Sequence, residues 1–301
     1  MHTWNQAILD SLVARVERLP HALLVYGSRG AGKLALAEKM AQLLLCEGKP
    51  RPCGACDGCR WFLGGNHPDF RRVEPEIFWA EKPEKPSIIV KVEQVRELAD
   101  FLYLRSHRGK LRVALVHPAE DMNENAANAL LKGLEEPPAG AIFILVSHRP
   151  AQLLPTILSR CVKVPVPIPP REAALQWLAA QKIPDAARWL AYAGGAPLRA
   201  VEYAAQAQSL DRLLKSPAPV DTREDAERLA EALQKIALDR ALAAFGLPPK
   251  YQAATGAVAP EKAREWLAYA RSLGQDRLLS RHPLNPRLFS AAMLGAMPGG
   301  G

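Results

Sequence analysis

The chain has 301 residues, and its 39 Lys and Arg against 31 Asp and Glu give a formal net charge of +8. This length predicts two or three domains, and a hydrophobic content of 49% supports a sizeable core. No apolar run approaches the roughly 20 residues that span a membrane, and the first 15 residues lack the pattern of a signal peptide, so a cytoplasmic protein is expected. The positive charge suits an acidic partner such as nucleic acid, but it suits simple solubility equally well.

The first strong motif is a glycine-rich loop from Gly27 to Leu34. Residues 6–16 before it have helical spacing, residues 22–26 form an apolar run, and residues 35–45 are rich in Ala and Leu. Strand, glycine loop and helix in this order are the context of a phosphate-binding loop. Its candidate phosphate-binding residues are Gly27, Gly30, Gly32 and Lys33. Leu34 stands where a Ser or Thr hydroxyl would hold Mg²⁺, and the alternative is an ordinary strand-to-helix turn.

A cysteine cluster follows this helix. Four of the five cysteines are close in sequence, at Cys46, Cys53, Cys56 and Cys59. Thiolates spaced by short glycine-bearing turns can close a tetrahedral Zn²⁺ site with no open position, which predicts a structural zinc in an insertion at 46–66. The alternatives are a redox pair or cysteines without a role. Cys161 stands apart and is most simply a small buried apolar residue.

The pattern then alternates between strands and helices. The predicted strands are residues 70–74, 88–90, 112–116, 141–147 and 158–165, and the predicted helices are 92–102 and 124–135. This alternation implies a parallel sheet covered on both faces. Prolines at 165, 167, 169 and 170 end this part. Three short helices are predicted over 171–206, and further helical segments at 211–215, 223–245, 260–273 and 286–297.

Four features in one order carry a resemblance to a known family: the phosphate loop, the cysteine insertion, residues Asn128 to Pro138, and Ile157 to Cys161. Together they resemble a clamp-loader subunit of bacterial DNA polymerase III, in the AAA+ class. The match is good over the first 200 residues and rests on helical pattern and Asn285 to Leu288 over the last 100.

The resemblance implies three domains. They are an α/β P-loop NTPase (AAA+) core with the zinc insertion at 1–166, a small helical lid at 167–207, and an all-α collar at 208–301 that joins five subunits in a ring. The implied partners are the gamma/tau and delta subunits, the sliding clamp (beta) and primer-template DNA.

Two members of this family share the plan: the ATP-hydrolysing motor subunit, gamma/tau, and a stator subunit, delta-prime. The motor subunit holds Mg²⁺ with an Asp-Glu pair, and the corresponding positions here are His117 and Pro118. Glu120 and Asp121 come several residues late and are expected to cap the next helix. With Leu34, three positions have lost the atoms that hydrolysis uses, so the chain is expected to lack ATPase activity and ATP binding is doubtful.

Arg160 is the remaining catalytic candidate. In the family, the arginine of this motif reaches into the neighbouring subunit's nucleotide site as an arginine finger, which matches the stator; the alternative is that Arg160 only caps its helix. Arg199 and Ser147 resemble nucleotide-sensing positions, and the alternative for both is a plain surface or core-edge role. Residues His107, Arg108, Lys110 and Arg112 form a basic cluster that either approaches DNA or is a solvated loop face.

The sequence therefore leaves three candidate functions. The first is a non-catalytic stator that helps load the clamp on primed DNA and donates Arg160 to a neighbour. The second is an active clamp-loader ATPase, for which the sequence lacks the Mg²⁺-binding hydroxyl and the acidic pair. The third is an independent zinc-dependent nucleic-acid-binding module. Six residues separate Cys46 from Cys53, fewer than expected for the family, so Cys46 is the weakest candidate ligand.

Overall fold

The computed structural model describes residues 1–78, 87–104, 106, 111–254, 256–279 and 284–299. Residues 79–86 and three members of the basic cluster (His107, Arg108 and Lys110) lie outside the described residues. The chain divides into two compact units, 1–168 and 169–301, which are described separately. The further division near residue 207 stays a prediction.

The first unit is built on a parallel sheet of five strands in the order β2-β3-β4-β1-β5. The strands are β1 (Ala22–Tyr26), β2 (Phe70–Val73), β3 (Arg112–Val116), β4 (Ala141–Ser147) and β5 (Val162–Pro165). Val25 at the end of β1 pairs with Val146 on one side and Val164 on the other. Strands β3 and β4 are buried along their whole length, as expected for a parallel sheet with both faces covered.

The described part of this unit contains six α-helices. They are α1 (Gln6–Val13), α2 (Lys33–Leu45), α3 (Asp57–Leu63), α4 (Val92–Tyr103), α5 (Glu124–Glu135) and α6 (Pro155–Arg160). Alternate side chains of the strands point to opposite faces, so the sheet has two cores. On one face Leu24 packs in a cluster with residues of α4, α5 and α6, and on the other Leu23 packs with residues of α1 and α2. The α/β class predicted from the sequence is confirmed.

Two predicted strand segments are wrong. Residues 88–90 form only an isolated bridge between Val90 and Met122, because Ile88 and Ile89 are exposed and only Val90 is buried. Residues 158–160 belong to helix α6, and the last strand begins at Val162. Pro155 at the first helical position favours this short helix, since its missing N–H needs no partner there.

The second unit is entirely helical in its described part. Its helices are α7 (Arg171–Ala180), α8 (Ala186–Tyr192), α9 (Pro197–Ala205), α10 (Ala207–Lys215), α11 (Arg223–Ala244), α12 (Ala263–Leu279) and α13 (Pro286–Gly295). The three short helices over 171–206 are confirmed, whereas α10 begins four residues earlier and α12 ends six residues later than predicted. None of the helices in the described ranges is long and apolar enough to cross a membrane.

One carboxylate ties α9 to α11 within this unit. Glu231 on α11 accepts two hydrogen bonds of 2.9 Å from Arg199 Nη2, and Lys235 Nζ lies 3.0 Å from its Oε1. Tyr203 donates its hydroxyl hydrogen to Glu231 and receives a 2.9 Å hydrogen bond from Lys235. Burial opposes the charged form of Glu231, but the cations Lys235, Arg199 and Arg277 outweigh it and hold the pKa of this carboxyl far below its usual range.

Replacing Glu231 by glutamine is expected to destabilise the chain strongly. The Glu231 side chain is only 17% exposed, and its loss leaves Arg199 and Lys235 without their shared counter-ion. Breaking a buried ion pair from one side costs about 3–5 kcal/mol, which denaturant unfolding of the purified chain will measure. The matched control is Glu224→Gln on the same helix, whose pair with Arg228 is exposed and should cost about 0.5 kcal/mol or less. Equal losses in the two variants would contradict this account.

Candidate functional site

The phosphate loop connects the carboxyl end of β1 to the first turn of α2, as the sequence predicts. Gly32 has a φ of 86°, and a Cβ there would lie 2.7 Å from the His2 ring. At Gly27, a Cβ would lie 2.2 Å from the carbonyl oxygen of Val166, the residue that follows β5. Both positions therefore require glycine, Gly27 for close packing and Gly32 for its left-handed backbone as well. The loop has the shape that a phosphate-binding turn needs.

Lys33 is turned back onto this loop. Its Nζ donates hydrogen bonds to the carbonyl oxygens of Gly27 at 2.8 Å and Ser28 at 2.7 Å, and the residue is only 2% exposed. Burial lowers the pKa of Lys33 to about 8, an effect that Glu120 partly offsets. The Lys33 amine is thus already hydrogen-bonded to carbonyl oxygens of the loop itself.

The segment before α1 braces the other side of the loop. Trp4 Nε1 donates to the Ala31 carbonyl at 3.0 Å, and the buried Asn5 amide donates to the carbonyls of Ala31 at 3.1 Å and Gly32 at 3.3 Å. These contacts join residues more than 20 positions apart. Sequence reasoning missed Asn5, because an isolated polar residue at a helix start carries no signal of its distant partner.

His117 and His148 stand at the ends of β3 and β4. Their ring centroids are 5.2 Å apart in an edge-on arrangement, and the ring centroid of Phe78 lies 6.0 Å from that of His117. Burial, with smaller contributions from Arg72 and Lys33, lowers the pKa of His117 to about 4. Burial likewise lowers the pKa of His148. Both rings are therefore neutral near pH 7, and a neutral imidazole is a poor ligand for Mg²⁺, which prefers oxygen.

The expectation that Glu120 and Asp121 cap helix α5 is wrong. The N-cap is Asn123, whose side-chain oxygen accepts a 2.7 Å hydrogen bond from the Ala126 N–H. Glu120 instead has a side chain with no exposed area and accepts a 2.9 Å hydrogen bond from the His148 N–H. Asp121 pairs with Arg149 at 3.3 Å. Sequence reasoning missed Glu120 as a site residue. Its carboxylate lies near enough to Lys33 to raise the pKa of the loop lysine.

Arg160 is the last residue of α6 and lies partly exposed on the surface of the first unit. Its Nη1 donates to the Thr156 carbonyl at 3.0 Å, which is the capping contact that the alternative interpretation expected. Its Nη2 lies 2.6 Å from Glu135 Oε1 at the end of α5. The Arg160 side chain is 33% exposed, so capping does not remove it from the surface. The geometry is compatible with both roles of Arg160.

The four clustered cysteines come together as predicted, Cys46 included. Their sulfur atoms all lie within 4.8 Å of one another, which is close enough to hold a metal ion. Two glycines make room for this arrangement. A Cβ at Gly48 would lie 2.7 Å from Cys53 Sγ, and a Cβ at Gly58 would lie 2.5 Å from the Leu45 carbonyl oxygen.

Backbone N–H groups point at the sulfurs. Cys46 Sγ accepts from the Cys53 N–H at 3.3 Å, and Cys56 Sγ accepts from Glu47 and Cys59, each at 3.4 Å. Burial alone would raise the pKa of Cys56, but these hydrogen bonds and its thiol neighbours outweigh burial and lower the pKa to about 6. Cys59 is more enclosed, and burial raises its pKa to about 12. Donors aimed at sulfur favour thiolates, which is the state a metal site requires.

The two sensor-like residues have other partners. Ser147 is fully buried at the end of β4, and its hydroxyl oxygen accepts a hydrogen bond from the Arg149 N–H at 3.2 Å. Arg199 is paired with Glu231 and Glu202 and lies over the Tyr203 ring at 4.5 Å. This is the core-edge position that the sequence allowed for Arg199.

The first unit has a P-loop NTPase fold of the AAA+ type. Three features define this class: the order of the strands, their burial in a parallel sheet, and the glycine loop with a lysine after β1. A solved structure with the same fold is the DNA polymerase III gamma subunit-related protein of Thermotoga maritima, with a TM-score of 0.54, 20% identity, and 95% and 97% coverage of the two chains. A family model described as DNA polymerase III, delta subunit, matches residues 5–169, which is more than half of the chain. The chain belongs to this family.

Curated relatives agree with the family assignment. The DNA polymerase III subunit delta' of Pseudomonas aeruginosa is 44% identical over 210 residues, which is 66% of this chain and 60% of the relative. The Escherichia coli protein of the same name is 35% identical over 181 residues, 59% of this chain and 52% of that protein. The E. coli subunit tau is 36% identical over 148 residues, 48% of this chain and 21% of its own length. The matches thus span only part of each relative.

Proposed function

We propose that the chain is the non-catalytic stator subunit of a bacterial DNA polymerase III clamp loader. It braces the loader and donates Arg160 to the nucleotide site of a neighbouring ATPase subunit. The observation that carries this proposal is the contrast between two places on the first unit. The phosphate loop has its fold without the Ser or Thr hydroxyl and the acidic pair that hold Mg²⁺, whereas Arg160 keeps a partly exposed side chain.

The absence of ATP hydrolysis follows from chemistry at three positions. Leu34 offers no hydroxyl, Pro118 offers no side-chain oxygen, and His117 is a buried neutral imidazole. Phosphoryl transfer needs a bound Mg²⁺ and a group that orients the attacking water. The Glu120 carboxylate is buried, and one of its oxygens accepts a hydrogen bond from the backbone N–H of His148. The active-ATPase alternative, a gamma/tau-like subunit, is therefore not favoured.

The purified chain is expected to show no ATP turnover in the presence of Mg²⁺. A sensitive phosphate-release assay on the chain alone will measure this, with the Lys33→Ala variant as control. Wild type and variant should both remain at the background rate, because the missing metal ligands already block the reaction. Turnover in the wild type that disappears in Lys33→Ala would instead identify an active P-loop enzyme.

For the cysteine cluster we propose a structural Zn²⁺ held by Cys46, Cys53, Cys56 and Cys59. Four sulfur ligands within 4.8 Å suit tetrahedral zinc with no open position for water. The ion would connect the end of α2 to the start of α3, so its effect would be on the fold of residues 46–59 rather than on catalysis.

The remaining assignments complete the proposal. Gly27, Gly30, Gly32 and Lys33 are the residues that would contact a nucleotide or phosphate, and tight ATP binding is not proposed, since Lys33 is already hydrogen-bonded to the loop. The proposed partners are the gamma/tau and delta subunits and, through the complex, the sliding clamp and primer-template DNA. This role places the chain in the cytoplasm.

A further inference from the structure

The guanidinium of Arg160 is held from two sides. Its own helix provides the Thr156 carbonyl at 3.0 Å, and the neighbouring helix α5 provides the Glu135 carboxylate at 2.6 Å. Glu135 is the last residue of α5 and Arg160 the last of α6. The Glu135 side chain is 48% exposed, so the pair lies at the surface.

These contacts leave donors free for another ligand. A guanidinium has five N–H donors in a fixed plane. Thr156 and Ser159 accept hydrogen bonds from Nη1, and Glu135 pairs with Nη2. Within the described residues no further contact to this guanidinium is found, which leaves the N–H of Nε and one N–H of Nη2 for phosphate oxygens of another subunit while the side chain stays anchored in its own.

The position of Glu135 is unfavourable for its own helix. The carbonyl end of a helix carries partial negative charge, and a carboxylate there is repelled. Glu136 follows directly and adds a second negative charge at the same end. The ion pair with Arg160 offsets this electrostatic repulsion at the end of α5.

We propose that Glu135 is the positioning residue of the Arg160 finger, a role that rests on the proposed donation of Arg160 to a neighbouring nucleotide site. A free arginine side chain samples many rotamers and loses that freedom when it binds. The contact with Glu135 restricts the rotamers beforehand, so the guanidinium enters the neighbouring site already oriented. Glu135 contacts no nucleotide itself and acts only through Arg160.

The test uses the loader reconstituted with its ATPase subunits, the clamp and primed DNA. Glu135→Ala is expected to lower kcat for ATP hydrolysis about two- to fivefold, the effect of an exposed ion pair, with KM for ATP and ring assembly unchanged. Glu135→Gln keeps the length and an acceptor oxygen and should restore part of the rate. The matched control is Glu136→Ala, which removes an adjacent exposed carboxylate for which no ion pair is observed within the described residues.

A double variant decides how Glu135 acts. If it acts through Arg160, Glu135→Ala combined with Arg160→Ala will be no slower than Arg160→Ala alone. Multiplied losses in the double variant, or a full rate in Glu135→Ala beside a slow Arg160→Ala, would overturn the positioning role and leave the finger intact. A full rate in Arg160→Ala itself would overturn the finger role and this inference together.

Discussion

Replacing Arg160 by alanine is expected to slow ATP hydrolysis at the neighbouring subunit's site by about a thousandfold while the loader still assembles. An arginine finger stabilises the charge that develops on the transferred phosphoryl group, and fingers of this kind contribute roughly 10³ or more to the rate. Removing the side chain leaves the fold of the chain intact, because Arg160 is partly exposed and its contacts are with surface groups. Single-turnover hydrolysis in the reconstituted ring will measure the effect.

Two further variants make this result specific. Arg160→Lys keeps the charge but loses the planar fork, so its rate should fall between wild type and Arg160→Ala. Arg96→Ala removes another exposed arginine of the same unit, one for which the described residues provide no ion pair, and should leave the rate unchanged. An Arg160→Ala loader that hydrolyses ATP at the wild-type rate would refute the finger role.

Loss of the proposed zinc ion is expected to have the largest effect on stability. Zinc binding by four thiolates contributes about 10–16 kcal/mol of apparent free energy in small zinc domains, so its removal should destabilise this chain by several kcal/mol. The ion would hold α3 against the core, where Phe62 packs and lies 4.9 Å from the Phe70 ring. Cys56→Ser should therefore reduce zinc from about one per chain to none in elemental analysis and lower the thermal unfolding temperature.

The chain contains its own control for this experiment. Cys161 is buried outside the cluster, and burial raises the pKa of its thiol to about 11, so it is an inert apolar residue rather than a ligand. Cys161→Ala should keep about one zinc per chain and change stability only through lost packing. A folded wild-type chain with no metal and four titratable cluster thiols would contradict the zinc assignment.

Much of the first unit could be predicted because its signals are local. The phosphate loop is recognisable from three glycines and a lysine between an apolar run and a helix, and the structure has this order at residues 22–45. The cysteine spacing likewise predicts a cluster that the sulfur positions confirm. In both cases neighbouring residues in the sequence are also neighbours in space.

The wrong or missing predictions depend on distant contacts. Residues 88–90 have strand-like composition, but among the residues that the structure describes they make only one bridge, from Val90 to Met122. Glu120 accepts a hydrogen bond from the His148 N–H, 28 residues away at the end of β4. The partner of Arg199 is 32 residues away on another helix. Periodicity and motif spacing carry no information about such pairs.

The hydrogen bonds around the phosphate loop have a consequence for how the chain responds to the cell. Lys33 donates hydrogen bonds to two carbonyl oxygens at the start of the loop. Trp4 and Asn5 both donate to the Ala31 carbonyl near its end. A loop with four carbonyls already hydrogen-bonded to side chains of its own chain gains little order from a triphosphate. Its conformation should therefore stay constant when the cellular ratio of ATP to ADP changes. In the proposed loader, such a loop would give the ATPase subunits a fixed reference while they bind and hydrolyse nucleotide.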